Sequence, residues 1–297
     1  MKINFDDGFC KITELDEFDP RDIFTCGQAF RWYEEDDGSF TFITHGLVSN
    51  AKKVGDEIIL KGVDERSFSE IFYDYFDLSR DYKKVMEDLA KDEVMKKATD
   101  YGKGIRILNQ DKFETIISFI ISANNQIPRI KKAIEKISEM YGDYLGEDEN
   151  RKYYSFPSPD KLALARPEDL REFARVGFRD KRIVETAKLI QTGEVNISEI
   201  EKMDLEDARK ELQLLPGVGP KVADCILLFA FDRKESFPVD VWIKRVMEEL
   251  YLKEVTPKSK IAIRGREVFG ENAGFANQYL FYYGRENKLG KWNNETK

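Results

Sequence analysis

Lys221 and Asp240 are the residues of this sequence whose types and surroundings best fit covalent chemistry. Lys221 directly follows the segment Leu-Pro-Gly-Val-Gly-Pro at 215–220, and Asp240 lies in Phe-Pro-Val-Asp-Val at 237–241. A deprotonated lysine amine can attack an electrophilic carbon, and a neighbouring carboxylate can stabilise positive charge that develops there. Because His45 is the only histidine, acid and base groups must come from carboxylates, lysine and tyrosine.

Each of these two residues also has an ordinary structural interpretation. Lys221 can be an exposed lysine in the first turn of a helix, as most lysines in such positions are. Asp240 stands directly before an apolar segment that begins at Val241, so its carboxylate can cap a helix N-terminus. Capping and catalysis are compatible, because a cap holds the carboxylate ionised and fixes its direction.

A helical hairpin is predicted to position Lys221. Apolar residues recur at helical spacing on both sides of the 215–220 turn; they are Leu205, Ala208, Leu212 and Leu215 before it and Val222, Cys225, Ile226 and Phe229 after it. Proline and glycine in the turn end the first helix and reverse the chain. Backbone amides at the start of the second helix can then bind a phosphate without any net positive charge.

Composition narrows the classes of protein. Of the 297 residues, 41% are hydrophobic and 35% are charged, which is typical of a folded protein rather than a disordered one. Three dispersed cysteines and one histidine exclude a four-thiolate cluster and a multi-histidine zinc site, and we expect neither a metal nor another cofactor. The formal charge of -8 argues mildly against nucleic-acid attraction by the whole surface, although one basic face would suffice.

The sequence contains no recognisable targeting or membrane-spanning segment. Its first residues include acidic side chains where a signal peptide needs an apolar core, and no apolar run approaches the length of a membrane span. We therefore expect a cytoplasmic protein, and we expect it to be a monomer.

Hydrophobic patterning predicts an α+β fold with two domains. In residues 1–102 the turns Asp37-Gly38 and Gly55-Asp56 each join two strand-like runs, and helical patterns follow at 67–78 and 80–101. This pattern predicts an N-terminal antiparallel β-sheet domain with helices on one face. In residues 103–297 almost every apolar segment recurs at helical spacing, which predicts a mostly α-helical second domain with a helix-hairpin-helix at about 205–230. Its candidate helices are 113–123, 127–140, 167–174, 181–191, 205–214, 221–230, 239–251 and 274–283, followed by a loose tail at 285–297.

Five segments together resemble the helix-hairpin-helix DNA glycosylases and, within them, the 8-oxoguanine DNA glycosylases. They are Thr-Cys-Gly-Gln-Ala-Phe-Arg-Trp at 25–32, Ser-Ala-Asn-Asn at 122–125, Val-Gly-Phe-Arg at 176–179, Leu-Pro-Gly-Val-Gly-Pro-Lys-Val-Ala-Asp-Cys at 215–225 and Pro-Val-Asp-Val at 238–241. The resemblance implies an enzyme that flips 8-oxoguanine out of double-stranded DNA, cleaves its N-glycosidic bond through a lysine Schiff base and nicks the strand by β-elimination. It makes Lys221 the nucleophile and Asp240 the second catalytic residue, and it leaves Asp224 outside the chemistry.

The same resemblance assigns the base pocket. Gly27 corresponds to a glycine whose carbonyl accepts a hydrogen bond from N7–H, the group that distinguishes 8-oxoguanine from guanine. Cys225 and Phe281 correspond to the pair that sandwiches the flipped ring. The glutamine that reads the base edge corresponds to Asn277 or, shifted by one residue, to Gln278. A turn glycine and two core residues are the structural alternatives for the first three.

Contacts with the rest of the DNA are assigned in the same way. Asn124 corresponds to the residue that fills the gap left by the flipped nucleotide, and Phe178 to the one that intercalates on the opposite strand. Arg129 and Arg179 correspond to residues that face the orphaned cytosine. A helix-terminating turn at Asn124 and a core position for Phe178 are the structural alternatives.

The phosphate contacts include one departure from the family pattern. Backbone amides of the hairpin are expected to bind phosphate, and the residues concerned are Gly217, Val218 and Gly219. Two residues after the catalytic aspartate, where such enzymes carry a phosphate-binding histidine, this chain has Trp242. That contact must therefore be weaker or come from Lys244 or Arg245.

Two other functions remain compatible with the sequence. The chain can be a glycosylase for another damaged base, although Lys221 argues against the single-function alkyl-base enzymes, which lack this lysine. It can also be a non-catalytic helix-hairpin-helix module that grips DNA, with Lys221 as a phosphate contact.

Overall fold

The computed structural model describes residues 1–6 and 8–289. The N-terminal part contains a six-stranded antiparallel sheet in the order β1-β2-β6-β5-β4-β3. Its strands are β1 (Lys2–Asp6), β2 (Phe9–Thr13), β3 (Trp32–Glu34), β4 (Phe40–Thr44), β5 (Leu47–Val54) and β6 (Glu57–Lys61). Helical segments accompany them at Pro20–Thr25, Glu65–Ser67, Phe68–Phe72, Tyr73–Tyr75, Tyr82–Leu89 and Glu93–Tyr101. The predicted sheet domain with helices is confirmed.

The two predicted hairpins are present, with the glycines in their turns. Strands β3 and β4 pair Tyr33 with Thr41, and strands β5 and β6 pair Val54 with Glu57. The hairpin of β1 and β2 was not predicted. Residues 2–6 do alternate polar and apolar side chains as a strand does, so this signal was present in the sequence although most side chains of β1 are exposed.

The rest of the chain is mainly helical. Its helices are Lys112–Ser122, Ile127–Tyr141, Pro159–Ala163, Pro167–Glu172, Gly177–Arg179, Asp180–Gln191, Ile197–Ile200, Leu205–Leu212, Pro220–Ala230, Val241–Val246, Met247–Leu252, Lys258–Phe269, Gly270–Asn272 and Ala273–Glu286. The predicted helix-hairpin-helix is confirmed, and it consists of Leu205–Leu212 and Pro220–Ala230. The segment predicted as one helix at 80–101 is two, because Asp92 caps a new helix by accepting hydrogen bonds from Val94 and Met95 amides.

The second half is mostly helical, as predicted, but it also contains two short strands that were not predicted. Strands β7 (Tyr144–Glu147) and β8 (Lys152–Tyr154) form an antiparallel hairpin between helices. Asp148 holds its turn by accepting hydrogen bonds from the amides of Asn150 and Arg151. The predicted tail at 285–297 also needs correction, since the last helix includes Glu286, and residues 290–297 lie outside the described part.

Two apolar cores meet at the junction of sheet and helices. One joins the buried face of the sheet to the aromatic residues of the Glu65–Tyr75 region, with Phe42 stacked on Tyr75 at 5.7 Å between ring centroids. The larger one fills the helical part and also takes in Cys26 and Phe30 from the N-terminal part. The predicted division at residue 102 therefore stays a prediction. Within the described residues, no helix has both the length and the apolar character needed to span a membrane.

A buried ion pair crosses the junction. Arg31 Nη1 lies 3.3 Å from Glu114 Oε2, and Arg31 also donates to the carbonyl oxygen of Tyr154. Both charged side chains are largely removed from water. Burial raises the pKa of Glu114 to about 7, although the Arg31 charge opposes the increase. Glu114 therefore stays partly protonated at neutral pH.

We expect Glu114→Gln to become more stable, relative to the original chain, as pH rises. In the folded chain Glu114 binds a proton up to a pKa of about 7, compared with 4.5 for an ordinary glutamate. Its contribution to stability is therefore greatest below pH 4.5 and is lost as pH rises towards 7, a change on the order of 3 kcal/mol. Glutamine does not titrate and shows no such change. Urea unfolding at pH 5 and pH 8 measures this difference. The exposed Glu70→Gln is the control, and an equal effect of Glu114→Gln at both pH values would contradict the expectation.

Candidate active site

A cavity of about 530 Å³ opens between the helical part and the Cys26–Phe30 loop. All seven residues predicted for chemistry and base recognition line it, and they are Gly27, Lys221, Cys225, Asp240, Asn277, Gln278 and Phe281. Trp242, at the position predicted for a phosphate contact, lines it as well. They come from segments as far apart as residue 27 and residue 281. The fold thus brings together a set of side chains that the sequence holds far apart.

The hairpin positions Lys221 at the edge of this cavity. Gly217 has a φ of +92°, which favours glycine, and the Val218 amide donates to the Leu215 carbonyl at 3.0 Å to close the turn. Gly219 is the N-cap of the Pro220–Ala230 helix and has no side chain to cap it. The amides of the first helical turn are therefore available to an external acceptor.

The amine of Lys221 lies against an aromatic wall. Its Nζ is 5.5 Å from the centre of the Phe119 ring, and the side chain is half-buried. Phe30 and Phe229 extend the apolar lining on the same side. Since apolar walls exclude water, the amine faces a space in which a bound molecule would be largely desolvated.

Asp240 caps the Val241–Val246 helix, as its sequence position predicts. Its Oδ1 accepts a hydrogen bond of 2.7 Å from the Ile243 amide. Burial raises the pKa of Asp240, while the Ile243 amide and the positive charges of Lys221 and Lys258 favour the ionised form. Carboxylate and amine thus share one cavity and influence each other electrostatically.

Gly27 forms the opposite wall together with Phe281. Gly27 has a φ of +88°, and a Cβ at this position would lie 3.0 Å from Phe281 Cε1. Gln28 fixes the loop, because its side-chain amide donates to the Arg106 carbonyl at 2.8 Å and accepts from the Leu108 amide at 2.8 Å. The Gly27 backbone can therefore approach a bound ring closely, and its neighbours hold it in place.

Cys225 is a buried thiol on the same cavity. It lies one helical turn after Lys221, and burial raises its pKa to about 11, against the opposing effect of the Lys221 charge. The thiol is therefore neutral at physiological pH and presents a polarisable apolar surface. Asp224 points elsewhere and pairs with Arg209 at 2.6 Å.

Asn277 and Gln278 both line the cavity, and each also holds a neighbouring segment. Asn277 Nδ2 donates to the Pro238 carbonyl at 2.9 Å, two residues before Asp240. Gln278 Nε2 donates to the Cys26 carbonyl at 2.8 Å, directly before Gly27. Both residues therefore help to position the two walls, and which of them reads a base edge stays a prediction.

The residues predicted to enter the duplex form a separate group. Asn124 is exposed with a φ of +52°, and Phe178 is 56% exposed. Arg179 is buried instead and donates to the carbonyl oxygens of Val176, Ala123 and Asn124. It shapes the Asn124 turn, so its contact with an orphaned cytosine stays a prediction. Arg129 is exposed beside the cavity.

The candidate phosphate-binding side chains differ in availability. Lys244 forms an ion pair with Glu248, which also accepts a hydrogen bond from the Thr256 amide at 2.6 Å. Arg245 stacks on Trp242, with 5.2 Å from its guanidinium carbon to the ring. Glu248 lies four residues after Lys244, a spacing at which opposite charges pair on a helix, so the sequence alone could have predicted this ion pair.

Two arginines at the site were not predicted from the sequence. Arg182 lies over Phe178, with 5.2 Å from its guanidinium carbon to the ring centre, and its Cδ is 3.0 Å from the place where a Cβ of Gly217 would be. Arg285 lines the cavity beside Gly27 and Phe281. Neither lies in a recognisable motif, because each contact joins segments distant in sequence.

Within residues 1–6 and 8–289, no group of three or more histidine, cysteine, aspartate or glutamate side chains is arranged to hold a metal.

Two family descriptions match the chain in succession. Residues 11–116 match the 8-oxoguanine DNA glycosylase N-terminal domain, and residues 117–270 match the HhH-GPD superfamily of base excision DNA repair proteins. A probable N-glycosylase/DNA lyase of Methanothermobacter thermautotrophicus is 34% identical over 250 residues, which are 76% of this chain and 78% of that protein. The N-glycosylase/DNA lyase OGG1 of Arabidopsis thaliana is 31% identical over 87% of this chain and 75% of its own length.

A solved structure is similar over nearly the whole chain. It is the 8-oxoguanine glycosylase/lyase of Clostridium acetobutylicum in complex with double-stranded DNA containing cytosine opposite 8-oxoguanine. The TM-score is 0.94 at 42% sequence identity, and the alignment covers 97% of this chain and 99% of that one.

We expect Gly27→Ala to destabilise the chain by about 1 kcal/mol more than Gly38→Ala. Both glycines have positive φ, at +88° and +76°, so alanine strains the backbone at both. Only at Gly27 would the new methyl group crowd a neighbour, whereas no atom lies within 4 Å at Gly38. Urea unfolding of the two variants measures the difference. Equal losses in the free energy of unfolding would contradict this expectation, because they would mean that Phe281 moves aside without cost.

Proposed function

This chain belongs to the helix-hairpin-helix base-excision repair proteins, as an N-glycosylase/DNA lyase of the 8-oxoguanine type, and we propose that it excises 8-oxoguanine with Lys221 as nucleophile. One observation carries this proposal: Lys221 and Asp240 line the same cavity as Gly27, Cys225 and Phe281. A cavity of about 530 Å³ has room for a purine ring. We further propose that the enzyme acts as a monomer on chromosomal DNA in the cytoplasm.

The proposed chemistry follows from the two groups. After it has lost its proton, the Lys221 amine attacks C1′ of the flipped nucleotide, and the C1′–N9 bond breaks with its electron pair leaving on the base. The Asp240 carboxylate stabilises the positive charge that develops on the sugar. Opening of the sugar ring gives an imine. Transfer of a proton from C2′ to solvent then expels the 3′ phosphate with its electron pair, and the strand is cut.

Base selection is proposed to depend on Gly27 and its neighbours. The Gly27 carbonyl accepts the N7 hydrogen of 8-oxoguanine, which guanine lacks. Its positive φ and missing side chain support this assignment, because a ring can approach the backbone closely. The neutral Cys225 thiol and the Phe281 ring would cover the two faces of the base. Asn277 or Gln278 would read its remaining edge.

The DNA surface is proposed to rely on backbone amides more than on net charge. The uncapped start of the Pro220–Ala230 helix supports a phosphate site, which a chain with a formal charge of -8 needs. Phe178 would wedge the duplex while Asn124 fills the gap, with Arg129 and Arg179 near the opposite base. Arg182 joins this surface, since it stacks on Phe178 and packs against the hairpin glycine Gly217.

We expect Lys221→Gln to abolish covalent trapping on 8-oxoguanine duplex DNA by borohydride. An imine to the sugar can be reduced only if a lysine amine forms it. Lys210→Gln is the matched control, because Lys210 is exposed on the helix that precedes the hairpin. Asp240→Asn should retain the helix cap but lower the excision rate by about a hundredfold or more, because the carboxylate charge is lost.

The outcomes of trapping separate the alternatives. An adduct that persists in Lys221→Gln would overturn the assignment of the nucleophile. No adduct with the original chain on any damaged duplex would favour a DNA-gripping module. Better excision of a deaminated or alkylated base than of 8-oxoguanine would identify a glycosylase for another lesion.

We expect Arg182→Ala to weaken duplex binding about fivefold, and to reduce the slope of log Kd against log salt by about one. Arg182 lies between Phe178, which is proposed to wedge the duplex, and the hairpin glycine Gly217. Among the ion pairs of the described residues, Arg182 has no carboxylate partner. Binding is measured in the Lys221→Gln background to prevent strand cleavage. Lys188→Ala, exposed further along the same helix, is the control. An unchanged salt slope in Arg182→Ala would exclude a phosphate contact.

A further inference from the structure

We propose that Arg285 binds an exocyclic oxygen of the flipped base and stabilises the negative charge that the base carries away. This inference rests on the proposed function, because it concerns the base pocket of that reaction. It adds a base-binding residue that none of the sequence motifs contains.

Arg285 belongs to the cavity by its position. It lies in the last turn of the Ala273–Glu286 helix, one turn after Phe281, and its side chain is 18% exposed. The guanidinium carbon is 5.3 Å from the centre of the Phe281 ring. A guanidinium stacked on an aromatic face in this way loses much of its freedom, so its donors have a fixed direction.

Two hydrogen bonds fix that direction further. Arg285 Nη2 donates to the Thr25 carbonyl at 2.7 Å, and Nε donates to Glu286 Oε1 at 2.8 Å. Thr25 stands two residues before Gly27, so this bond ties the guanidinium to the loop that forms the cavity wall. Glu286 is 42% exposed, and water screens its charge.

The third nitrogen of Arg285 faces Gly27. Its Nη1 lies 3.2 Å from the place where a Cβ of Gly27 would be. Among the hydrogen bonds of the described residues, the Arg285 donors in use are Nε and Nη2. A positively charged donor therefore lies beside the glycine whose carbonyl is proposed to accept N7–H.

The chemistry of the base supplies an acceptor at this place. In 8-oxoguanine the exocyclic oxygens O6 and O8 flank N7, so a donor beside the Gly27 carbonyl meets one of them. When the C1′–N9 bond breaks, its electron pair stays on the base and is delocalised onto these oxygens. A guanidinium at that edge therefore interacts more strongly with the base in the transition state than in the ground state. The departing base takes its proton from water.

We expect Arg285→Ala to lower single-turnover excision of 8-oxoguanine at least about tenfold, as loss of a charged donor to a developing anion does. Strand cleavage at a preformed abasic site should stay within about twofold, because no base leaves in that reaction. Added guanidinium ion should restore excision several-fold by entering the vacated space, whereas sodium chloride at equal concentration should not.

Chemical rescue separates base binding from a purely structural role. If Arg285 only held the Thr25 carbonyl, a free guanidinium ion would not restore the rate, and that result would overturn the proposal. Equal losses in excision and abasic-site cleavage would overturn it as well, as would an unchanged excision rate. Arg264→Ala, which removes an exposed arginine of the Lys258–Phe269 helix, is the matched control and should behave like the original chain. The proposed function fails separately, if the original chain excises no 8-oxoguanine.

Discussion

The structure depends on keeping one carboxylate and one amine together in a largely apolar cavity. Burial opposes the charge of Asp240, and its pKa is raised for that reason. The helix that Asp240 caps offsets part of this cost through the Ile243 amide, while Lys221 and Lys258 supply positive charge. Any change that moved the Val241–Val246 helix would therefore alter both the direction and the ionisation of the carboxylate.

Hydrogen bonds from the last long helix position the other parts of the cavity wall relative to Asp240. Asn277 ties the last long helix to Pro238 beside Asp240, and Gln278 ties the same helix to Cys26 beside Gly27. Adjacent residues of one helix thus fix the catalytic side and the base side of the cavity relative to each other. Arg106 adds a buried link, since it donates to the carbonyls of Phe76 and Glu17 and stacks on Tyr82 at 4.0 Å.

Sequence patterns predicted those parts of the fold that local chemistry determines. The helix-hairpin-helix was predictable because proline, glycine and apolar spacing mark both helices and the turn. The β7–β8 hairpin was not, because its strands have only four and three residues and its ion pair between Arg151 and Glu35 joins segments distant in sequence. Arg285 was missed for a similar reason. Only the fold brings it next to Gly27, and no spacing in the sequence records that contact.

The central claim is that Lys221 forms the covalent bond to the sugar, and peptide mapping of the reduced enzyme–DNA adduct tests it most directly. The original chain is trapped on 8-oxoguanine duplex DNA with borohydride, digested with nuclease and protease, and analysed by mass spectrometry. The account predicts that the sugar remnant is attached to Lys221. A remnant on another lysine or on the N-terminal amine would contradict it, whatever the rate of excision.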